Sequence, residues 1–231
     1  MSMKNFWSYI SNGSYSIGTT GGTVYLFDKN LNEIRKFQDI KYAYTPMFSP
    51  DGKMFIVKST DGMLAIYSLE TLSLIKKFRF SDIDGAQDDG FCFSPDSKLF
   101  INIERQNCST LFAVSVYKTD DFSRISQLIC DKRTVLSHIE YDGATNEYYV
   151  LGNNRNFRTV GFIAKFKNNN IVDKVKISKE ELELYNIFFG LKISGFTEKA
   201  FRWSYCKNEL DELKSLDLTL SELYNKHLNN T

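Results

Sequence analysis

The chain has 231 residues, 42% apolar and 25% charged, with 29 basic against 28 acidic side chains and a formal net charge of +1. This composition excludes a disordered chain, and the charge balance excludes a strongly basic nucleic-acid binder or a polyanionic tail. No apolar run approaches the ~18 residues of a membrane span, and the opening MSMKNFWSYISNG lacks the apolar stretch of a signal peptide. The expectation is a soluble, cytoplasmic protein whose 19 Phe and 13 Tyr can fill a sizeable core. The four cysteines, Cys92, Cys108, Cys130 and Cys206, form no CxxC pair, and the two histidines are His138 and His227. Reduced thiols and no metal site or cofactor are expected.

In chain order, the elements repeat. Ser11-Asn-Gly13 is a turn, followed by strands at 15–17, 23–28 and 34–37, with Gly21-Gly22 as a hairpin turn. Phe48-Ser-Pro-Asp-Gly52 opens the clearest unit: Pro50 fixes φ, and Gly52 accepts a positive one. Strands follow at 54–57 and 63–67, joined by Asp61-Gly62, and then at 72–78. Phe93-Ser-Pro-Asp-Ser97 opens the next copy, with strands at 98–101, 112–117 and 125–129. Ser49 and Ser94 are 45 residues apart. Tyr141-Asp-Gly143 opens another, with strands at 148–150, 161–166 and 171–177. Four strands per unit at a period of roughly 40–45 residues is the signature of propeller blades, which must stack to bury their faces.

Beyond residue 177 the pattern changes. Ser178-Lys-Glu-Glu181 is a capping box and predicts a short helix over 179–186. Two readings of the remainder stand. Strands at 192–195, 200–204, 212–218 and 222–228 would make a fifth unit. Leu210, Leu213, Leu220, Leu223 and Leu228 also fit helical spacing. The prediction is an all-β, single-domain propeller of about five small four-stranded blades (5–38, 45–79, 90–130, 137–177 and 190–228). Its alternative is four blades plus a helical cap.

These phrases resemble WD-repeat β-propellers. The resemblance rests on Phe48-Ser-Pro-Asp-Gly52, on Ser59-Thr-Asp-Gly62, and on the aromatic closing the third strand of each copy: Phe27, Tyr67, Tyr117 and Phe166. It covers about residues 9–177. The family's Gly-His opening and its Trp are missing, and Asp61 alone occupies the structural Asp position. What the resemblance implies is a platform for protein–protein contacts, usually without catalysis.

The most acidic stretch runs from Ser81 to Gly90 and joins two units. Its Asp82, Asp84, Asp88 and Asp89 read as a partner-contact loop that would steer a basic partner. Only the Asp82-x-Asp84 start of an EF-hand loop is present. Asn153-Asn-Arg-Asn-Phe-Arg158 joins the second and third strands of the fourth unit, where Arg155 and Arg158 flank Phe157, residue types enriched at interface hot spots. Tyr42 and Tyr44 precede a strand and are candidate rim anchors. His138 reads as a buried histidine, not a catalytic one. The sequence contains no phosphate-cradling Gly loop and no nucleophile elbow. Stacking of single-stranded nucleic acid on Phe157 lacks the broad basic field it needs.

The functional expectation is a non-catalytic protein–protein interaction module or scaffold, in one version a dedicated inhibitor of immunity or anti-defence type. The alternative is a binder of a small anionic ligand or nucleotide at the channel mouth. A hydrolase ranks third. The expected partner is another protein, with homodimerisation a route to completing a four-unit array; neither membrane nor nucleic acid is expected.

Overall fold

The computed structural model describes residues 6–81, 90–106, 111–201 and 207–229, with the backbone alone at 157–159 and 207. Among them are four antiparallel four-stranded sheets, each with its strands in sequence order. The first sheet holds β1 (Ser8–Ser11), β2 (Tyr15–Thr19), β3 (Val24–Asp28) and β4 (Glu33–Phe37). The second holds β5 (Ala43–Phe48), β6 (Met54–Ser59), β7 (Met63–Ser68) and β8 (Leu74–Arg79). The third holds β9 (Phe91–Phe93), β10 (Leu99–Gln106), β11 (Leu111–Lys118) and β12 (Arg124–Ile129). The fourth holds β13 (Thr134–Asp142), β14 (Glu147–Asn154), β15 (Phe157–Lys167) and β16 (Asn170–Ile177). Helices α1 (Lys179–Ser194), α2 (Lys207–Ser215) and α3 (Leu220–Leu228) follow. No helix among the described residues is long and apolar enough to cross a membrane.

The repeated Ser-Pro-Asp phrase closes the turn between the first and second strands. The Ser49 hydroxyl donates to Asp51 Oδ1 at 2.7 Å, and the same oxygen accepts from Lys53 N–H at 3.1 Å. Ser49 Oγ also accepts from Met54 N–H at 3.1 Å. The next copy repeats this through Ser94 to Asp96 (2.6 Å), Lys98 N–H to Asp96 (3.1 Å) and Leu99 N–H to Ser94 (2.9 Å). Short polar side chains thus satisfy backbone donors that the ladder cannot reach.

The chain divides into two compact units: residues 1–87 with 191–216, and residues 88–190 with 217–231. In the first, Ile17, Leu26, Phe55, Val57 and Tyr67 join one buried cluster drawn from the first two sheets. Tyr67 stacks on Phe55 at 4.8 Å. In the second, Ile101, Ile103, Val114, Val150 and Phe162 form the equivalent cluster. In the second sheet β6 and β7 are buried along most of their length, whereas β4 and β8 alternate or are exposed.

The C-terminal segment settles between its two readings as helix. Residues 207–228 form α2 and α3 where a fifth unit would have placed its third and fourth strands. Leu210, Leu213, Leu220, Leu223 and Tyr224 are buried at helical spacing, and Thr219 with Glu222 forms a capping box at the start of α3. Helix α1 begins at the predicted Ser178–Glu181 box, with Glu181 N–H donating to Ser178 Oγ at 3.2 Å. It continues past residue 186, through Gly190, to Ser194, where Gly195 ends it. There Phe196 N–H returns to the Leu191 carbonyl at 2.8 Å, a Schellman closure. In the second unit α3 is tied to the fourth sheet by Leu220 N–H donating to Glu140 Oε2 at 2.9 Å. His227 Nε2 of α3 lies 3.4 Å from Glu181 of α1.

Gly195 combines a φ of +87° with close approach to β1. A Cβ there would overlap the Tyr9 carbonyl, and Thr197 Oγ1 donates to the Trp7 carbonyl at 2.6 Å two residues on. Gly195→Ala should therefore cost about 3 kcal/mol or more. Gly22→Ala, where a Cβ meets nothing within 4 Å, should be nearly neutral. Urea unfolding of the two variants checks this; equal stability would refute the clamp.

The Ser94 hydroxyl holds the Asp96 carboxyl below the usual aspartate range. Burial of Asp51 acts to raise its pKa, but the Ser49 hydroxyl and Lys53 N–H outweigh it and the net shift is down. A depressed folded pKa gives stability that is complete above the unfolded value of about 3.9 and is lost as pH falls through the folded value. Ser49→Ala should cost about 1–2 kcal/mol at pH 7. Its gap to wild type should narrow below about pH 3.9; a gap independent of pH would show that the carboxylate plays no part.

Candidate functional site

In the fourth sheet Gly152 of β14 lies opposite Phe162 of β15, and Phe162 lies opposite Lys176 of β16. A Cβ on Gly152 would come within 2.7 Å of Phe162 Cζ and closer still to the Val135 carbonyl oxygen. The missing side chain lets the Phe162 ring cross the sheet. Lys174 Nζ sits 4.7 Å from the centroid of that ring, a cation–π contact.

At this end of the sheet is a cleft of about 730 Å³. β15 contributes Val160, Gly161 and Phe162 to its lining, and β16 contributes Lys174 and Lys176. The β12–β13 connection adds Asp131, Lys132 and Arg133, and Asn153 and Asn154 complete it from β14. Four cations and one carboxylate therefore line it, and all five side chains belong to exposed residues.

Asp131 organises the connection. Its Oδ1 accepts from Arg133 N–H at 2.7 Å and its Oδ2 from Thr134 Oγ1 at 2.9 Å. The Arg133 N–H chiefly holds this carboxyl below the usual aspartate range, and the Lys174 charge adds to that. Arg155 N–H donates to the Arg133 carbonyl at 2.6 Å, which fastens the β14–β15 hairpin to the connection.

This bond places the Arg155 backbone next to Arg133, which lines the cleft, though Arg155 itself is not among the lining residues. Phe157 and Arg158 begin β15, but their side chains lie outside the described residues, as do Asp82, Asp84, Asp88 and Asp89. Tyr42 is 59% exposed. Tyr44 instead packs its ring 5.9 Å from Trp7, and its carbonyl accepts from Thr19 Oγ1 at 2.9 Å. Both belong to the first unit, whereas Arg155 belongs to the second.

His138 is buried as expected, with its ring 4.8 Å from Phe189 and Nε2 3.7 Å from Glu140 Oε1. Cys92 and Cys130 are free and buried. Burial pushes both thiols up, with Asp131 adding to the effect on Cys130, which reaches about 11. Among the described residues, no group of three His, Cys, Asp or Glu side chains is placed to hold a metal ion.

A second polar cluster was not anticipated. Glu104 on β10 is 1% exposed and accepts from Tyr117 Oη at 2.5 Å, Ser115 Oγ at 2.8 Å and Gln127 Nε2 at 3.2 Å. Burial, then the neighbouring Glu104, raises the Tyr117 phenol. The signal in the sequence was Asn102 and Glu104 alternating with Ile101 and Ile103 in a strand. Donors from β11 and β12 occupy the Glu104 oxygens, so this cluster is structural.

No family model and no curated protein matches the sequence. Among solved structures, a chain described as Kuenenia stuttgartiensis hydrazine synthase is similar, with a TM-score of 0.58 and 14% identity. The match covers 72% of this chain and 51% of that one, so this chain spans about half its length. At that identity the likeness shows the fold alone, which is β-propeller-like. With 1273 solved chains matching, the fold is too widely shared to indicate an activity.

Asp131→Ala should loosen the connection at a cost of about 1 kcal/mol and raise hydrogen exchange at the Arg133 amide. Because the Asp131 pKa is depressed, wild type should keep that protection above the ordinary aspartate range and lose it as pH falls through the folded value. Unchanged exchange in the variant would show that the carboxylate does not hold the turn.

Proposed function

We propose that the protein is a divergent WD-like repeat module that binds another protein without catalysis, in a reducing compartment such as the cytoplasm. The observation that carries this reading is the basic cleft: exposed cations from a turn and an outer strand, set on a rigid four-stranded sheet. Such an arrangement suits docking, because the scaffold fixes positions while loops and edges carry the contacts. The buried residues support the non-catalytic part. His138 and His227 each face a glutamate in a packed setting, and both described thiols are pushed up by burial. A role as a dedicated inhibitor is one version of this reading.

A second reading, a small anionic ligand in the same cleft, is favoured by its volume, which falls within the ~300–1,000 Å³ of ligand sites. A tagged pull-down from native lysate at low and moderate salt, followed by co-elution with the purified candidate, separates the two. One stoichiometric protein partner is the expected result. A folded protein that captures nothing, yet is stabilised by a nucleotide, would replace the first reading with the second. Ligand at 100 times its Kd would add about 2.7 kcal/mol.

A further inference from the structure

Resting on the binding-module reading, we propose that the cleft takes an extended, acidic segment of the partner, one whose spaced Asp and Glu carboxylates pair with its cations. Three features point to this class. First, the cations come from separate elements: Lys132 and Arg133 from the β12–β13 connection, Lys174 and Lys176 from β16. Three are lysines, compact point charges on flexible stems, not the planar forks that grip a single oxyanion bidentately.

Second, four backbone donors at and beside the cleft are already used. Arg133 N–H goes to Asp131 Oδ1 at 2.7 Å, and Thr134 N–H to the Asp131 carbonyl at 3.1 Å. Arg155 N–H goes to the Arg133 carbonyl at 2.6 Å, and Asn156 N–H to Asn154 Oδ1 at 3.0 Å. A phosphate site draws on converging backbone N–H groups, and these four do not serve one.

Third, Lys174 and Lys176 are alternate residues of one strand, so their side chains project from the same face at a spacing of about 7 Å. An extended peptide repeats its side chains at the same interval. Carboxylates at alternate positions of the partner would therefore meet successive lysines in register. The chain's net charge of +1 gives no broad field for a nucleic acid.

The probe is a fluorescein-labelled decapeptide alternating Glu with Ser, its Gln–Ser analogue, inorganic phosphate and a short oligothymidylate, each read by anisotropy or competition. The acidic peptide should bind, and the Gln analogue should not. Affinity should fall as salt rises from about 0.05 to 0.3 M. Lys174→Glu/Lys176→Glu should weaken binding by about tenfold or more, and so should Lys132→Glu/Arg133→Glu on the separate connection. Thermal unfolding confirms that each variant is folded; these exposed positions make that the expected state. Equal binding of the Gln analogue, wild-type affinity in both variants, or stronger competition by phosphate or oligothymidylate overturns the proposal. A protein that captures a partner but ignores the peptide overturns the acidic-segment assignment and leaves the binding-module reading intact. Peptide binding lost in both variants, in a protein that captures no partner, upholds the cleft chemistry and removes the module reading.

Discussion

A four-stranded sheet with apolar side chains on both faces must cover them with neighbouring elements, and in each unit two sheets do so by sharing one core. In the first unit Leu26 of β3 shares a cluster with Val57 of β6; in the second, Ile103 of β10 shares one with Val150 of β14. Fully burying one such side chain is worth about 1.5–3 kcal/mol, so the paired sheets outweigh any single turn or cap. The backbone adds a direct tie in each case: Ala43 N–H donates to the Gly21 carbonyl at 3.0 Å, and Gly90 N–H to the Ser137 carbonyl at 2.9 Å. Because the core sits on the middle strands, β4 and β16 can carry charge, as Glu33, Lys36, Lys174 and Lys176 do.

Much of this order is written locally. The Ser-Pro-Asp turns were legible because their hydrogen bonds close within five residues, from Ser49 to Met54 and from Ser94 to Leu99. The Ser178–Glu181 box was legible for the same reason. The far end of α1 was not, since its stop depends on Gly195 meeting Tyr9, which no local pattern records. The C-terminal leucines fit two periods until burial chose between them. Leu210 and Leu213 are buried three residues apart, and Leu220, Leu223 and Tyr224 form a second helical stripe.

The cleft lay deeper in the chain's long-range order. Its two basic pairs, Lys132–Arg133 and Lys174–Lys176, are about forty residues apart, and the near-neutral total charge hides them. Arg155 drew attention through its residue type and its place in a strand connection; its contact with the Arg133 carbonyl came from the β14–β15 hairpin folding onto it. Register does the rest. With Gly152, Phe162 and Lys176 aligned across three strands, a slip of one residue would turn Lys174 and Lys176 to the opposite face.

The contrast between Glu104 and the cleft cations shows how one fold separates structural charge from charge available for binding. Glu104 sits on a second strand, within reach of β11 and β12, and its oxygens are filled by Tyr117, Ser115 and Gln127. Removing such a group from water is tolerable only with donors this close. Lys176 sits on a fourth strand, and Arg133 on a turn, where water still solvates them. Their pairing with a partner's carboxylates would gain little per contact in a wet cleft, so affinity must come from several pairs made together. A rigid sheet supplies that multiplicity, because it holds the stems in fixed register while the charged ends remain free to adjust.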